Sequence, residues 1–280
     1  MAGHRTSRSG PQASSTTPAT VSGGFDGVGK AARSFSQADA LKRAIREHVV
    51  PTVKASEPAQ TIPGLDAATF FNALIKSEEL VLASIVPTLI EHNIKFELFH
   101  RVLLQPIFDL MQDGWAADEL DFLTIDLSTA RLQMICNHFV RERLKRRGDG
   151  AEERRTVLFA QATDSNHSMG LSVARSFFMD AGWSVEGGAH VSPKAGLYET
   201  IGTSHYDVLA LSSGHASKTT VRDVVTRARR SSLNGEIAVC VGGASVSQEP
   251  HAFDDVGADV IALNAAMAVA ETESVLGFGA

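Results

Sequence analysis

The chemistry of this chain starts at residues 163–170, TDSNHSMG. His167 stands on a polar loop closed by Gly170, between an apolar run, TVLFAQA (156–162), and a helical pattern, LSVARSFFMDAGW (171–183). In an open α/β sheet, the loop that leaves a strand for its helix is where ligands are held. A neutral imidazole there can ligate a metal through one nitrogen while a hydrogen bond orients the other. Three more stretches belong to the same kind of edge: SSGHAS (212–217), VGGASVSQEP (241–250) and LNAA (263–266). The pair Gly242–Gly243 marks a place where backbone must approach a ligand or a neighbouring helix closely.

Several ligand classes fail on the residue types. The first loop lacks G-x-G-x-x-G, and the second strand ends in no clear ribose-binding acid, so a dinucleotide has no cradle. No G-x-x-x-x-G-K-[ST] occurs. A phosphorylated receiver needs an acidic pair and a strand-end lysine, whereas Asp164 is the only acid at the first strand end. The ten histidines are scattered, without partners at zinc spacing. A flat, metal-containing cofactor lying across the sheet edge does suit one histidine, small residues after the third strand and glycines after the fourth. His167 would ligate the metal from below, and a nucleotide tail would descend beside the small residues. On the loop alone, an exposed or capping histidine is an equally good reading.

The elements that carry these residues, over 154–277, alternate between strand and helix. The strand runs are 156–162, 183–190, 207–213, 236–244 and 258–264, separated by helical patterns near 171–181, 193–204, 218–233 and 248–255 and followed by one near 265–276. That alternation predicts a five-stranded parallel sheet with helices on both faces, a Rossmann-like domain. Residues 38–147 predict a four-helix bundle: one helix over 38–56, one from about 65, one over 94–113 and one over 117–146. The last ends in RERLKRR, read as a solvated basic face favoured by the helix dipole. Residues 1–37 are rich in Ser, Thr, Gly, Ala and Pro and predict a disordered head. Hydrophobic content of 44% with 21% charged residues is a globular balance, and a net charge of -6 argues against a surface built for nucleic acid. Cys136 and Cys240 sit in apolar contexts and read as buried, reduced thiols of a cytoplasmic protein. No apolar run reaches the roughly 20 residues of a membrane span.

These residues resemble the cobalamin-binding domains, which carry D-x-H-x-x-G on the first loop, S-x-L at the third strand end and a glycine pair at the fourth. This chain has S-N-H-S-M-G at 165–170, S-S-G at 212–214 and G-G at 242–243. Ser165 replaces the motif's acid, with Asp164 one place earlier, and Gly214 replaces its leucine. The resemblance implies a cofactor site of Ser165, Asn166, His167, Ser168, Gly170, Ser212, Ser213, Gly242 and Gly243, with His167 as lower axial ligand to cobalt. Cobalamin modules commonly follow a four-helix cap carrying a Trp, with Glu and His ten and eleven residues on. Here Trp115 is kept, and Ile125 and Asp126 occupy the later positions. Trp115 and Asp126 are the cap's candidates for contact with the cofactor, and a bundle-core anchor is the alternative role for Trp115.

The organisation is most similar to the PpaA/AerR type of photosynthesis antirepressor, over residues 40–276. That resemblance implies cobalamin, in adenosyl or hydroxo form, or heme as the cofactor. It also implies a light or redox signal and a transcriptional repressor of the PpsR/CrtJ type as partner. The function expected is therefore a non-enzymatic regulator. The alternatives are a corrinoid methyl-carrier protein of a methyltransferase system and a heme sensor using His167, His205, His215 or His251. A ligand-free scaffold for protein contacts stays open. Homo-oligomerisation and direct DNA contact through RERLKRR or RARR (227–230) are left undecided by the sequence.

Overall fold

Five short runs of aliphatic residues pair into one parallel sheet: β1 (Thr156–Gln161), β2 (Ser184–Gly187), β3 (Val208–Ser212), β4 (Ala238–Gly242) and β5 (Val260–Ala262). The computed structural model describes residues 61–147, 155–164 and 169–277, and these fall in one compact unit. The predicted head (1–37) and first helix (38–56) lie outside the described residues, as does the stretch between the helical region and the sheet, 148–154. The strand order is β2-β1-β3-β4-β5. Strands buried on both faces need continuous apolar runs rather than alternation, and β1, β3 and β4 have them.

Both faces are covered. α6 (Met169–Asp180) and α10 (Ala265–Val275) lie over Val157, Phe159, Val208, Ala210, Cys240 and Ala262. α7 (Leu197–Thr203) and α8 (Lys218–Ser231) cover Leu158, Leu209, Leu211, Val239 and Val241 on the other face. A short α9 (Ala244–Gln248) and a 3-10 turn, Pro250–Phe253, connect β4 to β5. The predicted strand–helix alternation and the helical region before it are both present.

The helical region comprises α1 (Ala67–Lys76), α2 (Glu79–Glu91), α3 (Phe96–Phe99), α4 (Gln105–Ala116) and α5 (Phe122–Arg147). Two details differ from the sequence expectation. The helix predicted from residue 65 breaks at Ser77, which takes a left-handed conformation with φ 58 and caps α1 through its N–H to Ala73. Nothing in IKSEEL signals that break, because neither Gly nor Pro is present. The helix predicted over 94–113 contains a π-helical turn, His100–Leu104, between α3 and α4. Pro106 has no N–H to offer Val102, and just upstream the Gln105 N–H reaches back five residues to His100.

The helical region packs on the outer side of α6 and the first turns of α10, where Phe96, Phe99, Phe139, Val173 and Phe177 share one core. A charged staple fixes that junction. Arg143, 9% exposed, pairs with Asp180 at 2.5 Å and donates to the Ile94 carbonyl, while the other Asp180 oxygen accepts the Phe96 N–H at 3.2 Å. Arg147 donates to the Asp180 carbonyl, and Arg146 to that of Ile90. The reading of RERLKRR as a solvated face holds for Arg141, Lys145, Arg146 and Arg147, which are exposed, and fails for Arg143, which is buried at the junction. RARR behaves alike, with Arg227 stacked 4.0 Å over Tyr198 and Arg229 paired with Asp259 at 2.6 Å. Among the described residues, no helix is long and apolar enough to cross a membrane.

Candidate functional site

The strand order reverses between β1 and β3, and their C-terminal ends open the crevice where such sheets hold ligands. The backbone zips the edge together. Ala162 N–H donates to Ser212 at 2.8 Å, Ser213 N–H to Gly242 at 2.7 Å, and Ser245 N–H to Gly214 at 3.0 Å. The ends of β1, β3 and β4 therefore form one rigid ledge.

The glycine pair is a consequence of that ledge. Gly243 has φ 105, and a Cβ there would stand 3.0 Å from Ser212 Oγ and 3.1 Å from both Ser213 N and Ser213 Oγ. A Cβ on Gly242 would lie 3.1 Å from the Ala262 carbonyl oxygen. The close approach is to the ends of β3 and β5, where the sequence had suggested a ligand or a helix. Its effect is to press the two serines against the β4 turn.

Ser213 is fully buried, and its Oγ has no hydrogen-bond partner among the described residues. A hydroxyl in that position costs about 1–3 kcal/mol of desolvation while it is unsatisfied. Ser212, half-buried, stands beside it at the end of β3. Asp164 accepts a hydrogen bond from Ser192 and lies 3.8 Å from Lys194, which ties the start of the histidine loop to the loop after β2. Beside this corner, between α7 and α8, lies a pocket of about 350 Å³. Thr163, Asp164, Lys194, Tyr198, Asp223 and Arg227 bring two acids and two bases to its wall.

The fold brings Ser212, Ser213, Gly242 and Gly243 together as expected. Gly170 lies in the first turn of α6. Ser165, Asn166, His167 and Ser168 lie outside the described residues. Trp115 is buried in the helical core, and Asp126 is exposed on α5. His205, His215 and His251 are all exposed. No group of three or more His, Cys, Asp or Glu among the described residues is placed to hold a metal ion. Burial pushes both thiols, Cys136 and Cys240, up to about 12.

One titratable residue escaped the sequence reading. His100 sits in the π-helical turn with its ring 5.4 Å from Phe177, and desolvation pushes its pKa down to about 4. It is a neutral imidazole at the junction of helical region and sheet. Pro106 was the sequence signal for an irregular turn, but nothing in the sequence placed the ring against α6.

No protein-family model matches the chain, and no curated protein matches it. Solved structures do resemble it. The monomethylamine corrinoid protein of Methanosarcina barkeri is 16% identical, with a TM-score of 0.53 over 71% of this chain and 93% of that one. A cobalamin-binding protein from Desulfitobacterium hafniense DCB-2 is also 16% identical, with a TM-score of 0.39 over 75% of this chain and 98% of that one. At this identity the likeness is one of fold: a helical region followed by a five-stranded parallel α/β sheet.

Proposed function

We propose that the chain binds a corrinoid on the β1/β3 ledge and acts as a non-enzymatic regulator that signals light or redox state to protein partners. The observation that carries the reading is the buried Ser213 hydroxyl, without a partner among the described residues at the edge where such folds hold ligands. The donor set fits such a group. Ser213 offers a hydrogen bond from below, the glycine pair holds it and Ser212 in place, and His167 supplies the one imidazole of the first loop. When bound, the corrin would supply a cobalt centre whose upper ligand responds to light or redox change. The chain's part would be to hold that centre through His167 and to anchor its tail at Ser212 and Ser213, with Trp115 and Asp126 as the helical region's candidates for contact with it.

A change at the cobalt reaches a partner only if two arrangements of helical region and sheet differ in affinity for the two cofactor states. In this reading the partner is a transcriptional repressor of the PpsR/CrtJ type and the setting is cytoplasmic. The burial of Arg143, the ion pair of the half-buried Arg229 and the net charge of -6 favour a protein partner over direct DNA contact. A methyl-carrier role is the second reading, supported by the fold likeness to the Methanosarcina corrinoid protein.

Absorption spectra of protein incubated with adenosyl-, methyl- or hydroxocobalamin or with hemin, then desalted, test the proposal. A retained corrin spectrum that changes on illumination is expected. A retained corrin inert to light and redox change supports the carrier reading. Retention of hemin alone turns the proposal toward heme sensing, and retention of nothing refutes it.

A further inference from the structure

α5 is apolar on two opposite sides. Ile125, Ser128, Leu132, Ile135, Cys136, Phe139 and Arg143 form its buried face. Leu123, Leu127, Ala130 and Met134 run along the opposite side, spaced four, three and four residues apart, and all four are exposed. Leu123 is 61% exposed, Leu127 45% and Met134 70%. That spacing is the seam of a coiled coil, in which every a and d residue meets a partner helix. A lone exposed Leu requires no explanation, but a heptad stripe set opposite a complete core face does.

The charges on either side of the stripe select the partner. Before it, Asp118, Glu119 and Asp121 are exposed on the turn that leads into α5; after it, His138, Arg141 and Lys145 are exposed, with Glu142 half-buried among them. An acidic start, apolar middle and basic end make the helix complementary to its own reverse. We propose that α5 pairs antiparallel with α5 of a second copy of this chain, about a two-fold axis between residues 128 and 129. Leu123 of one copy then packs on Met134 of the other, and Leu127 packs on Ala130, a large side chain against a small one at the closest point. The acidic turn that carries Asp118 and Glu119 in each copy then lies at the end of the partner helix that carries His138 and Arg141. The interface is isologous and closed, so it yields a dimer and no larger assembly. Four seam residues per copy make a contact at the small end of specific interfaces, so association is reversible. The inference stands independently of the corrinoid reading.

Sedimentation of the full chain over a range of concentrations tests it. A monomer–dimer equilibrium is expected, weakened at least tenfold by Leu127→Glu with circular dichroism and thermal midpoint unchanged. Replacing Asp118 and Glu119 with Lys is expected to weaken it, and adding His138→Glu with Arg141→Glu to restore it. In a Leu123→Cys, Met134→Cys variant, oxidation is expected to join position 123 of one copy to 134 of the other. A monomer at every concentration, a dimer indifferent to Leu127→Glu, or a 123–123 cross-link would each overturn the proposal.

Discussion

Replacing Ser213 with Ala should make the ligand-free protein more stable and weaken its hold on a corrinoid. The Ser213 hydroxyl is fully buried with no partner among the described residues. Its desolvation costs about 1–3 kcal/mol, and the methyl that replaces it leaves only a small void. A net gain of ~1–2 kcal/mol corresponds to a thermal midpoint higher by roughly 2–8 °C in a domain of this size. With a corrinoid present, the same change removes one hydrogen bond of about 1 kcal/mol, which is a roughly fivefold loss of affinity. Thermal unfolding without ligand and equilibrium dialysis against hydroxocobalamin read the two effects separately. A ligand-free variant destabilised by more than ~1 kcal/mol would show that the hydroxyl already has a structural partner. Unchanged corrinoid affinity would remove Ser213 from the site. Either result refutes the reasoning.

The glycine, the staple and the buried histidine carry further expectations. Gly243→Ala places a Cβ 3.0 Å from Ser212 Oγ on a backbone with φ 105, so it should destabilise by about 2 kcal/mol or more in urea unfolding, whereas Gly235→Ala, with open space around it, should not. Asp180→Ala leaves Arg143 charged, buried and unpaired, and urea unfolding should register a loss of about 3–5 kcal/mol. His100 binds its proton with pKa about 4 in the folded chain against 6.5 when unfolded, so the unfolded state takes up the extra proton as pH falls between them. Its contribution is complete above pH 6.5 and is lost toward pH 4. At about 1.4 kcal/mol per pH unit, that loss approaches ~3 kcal/mol. His100→Gln should flatten the stability profile over that window; an unchanged profile would mean that the imidazole titrates freely.

The sheet was legible because its strands are short aliphatic runs separated by glycine- and serine-rich turns, as DVLALSSGH illustrates. The close backbone approach at Gly242–Gly243 was legible for the same reason, since only a crowded turn keeps two glycines at a strand end. The break at Ser77 was not, because a serine takes a left-handed cap only when neighbouring helices favour the turn. The Arg143–Asp180 staple joins residues 37 apart in sequence, and a basic run at a helix end looks the same whether it is solvated or closing a junction. Orphaned hydroxyls are invisible to sequence altogether. Ser213 became the firmest part of the site only once its surroundings were fixed.

The axial bond from His167 is the central claim, and electron spin resonance of the protein reconstituted with cob(II)alamin tests it most directly. The unpaired electron of cobalt(II) couples to the nitrogen on its lower face. With protein grown on 15N-histidine and unlabelled cofactor, a bond from the chain's imidazole splits each cobalt line into two. The account predicts that doublet, and its loss in His167→Ala. A triplet in the labelled wild-type protein would show that the cofactor's own base, or no histidine of this chain, holds the metal.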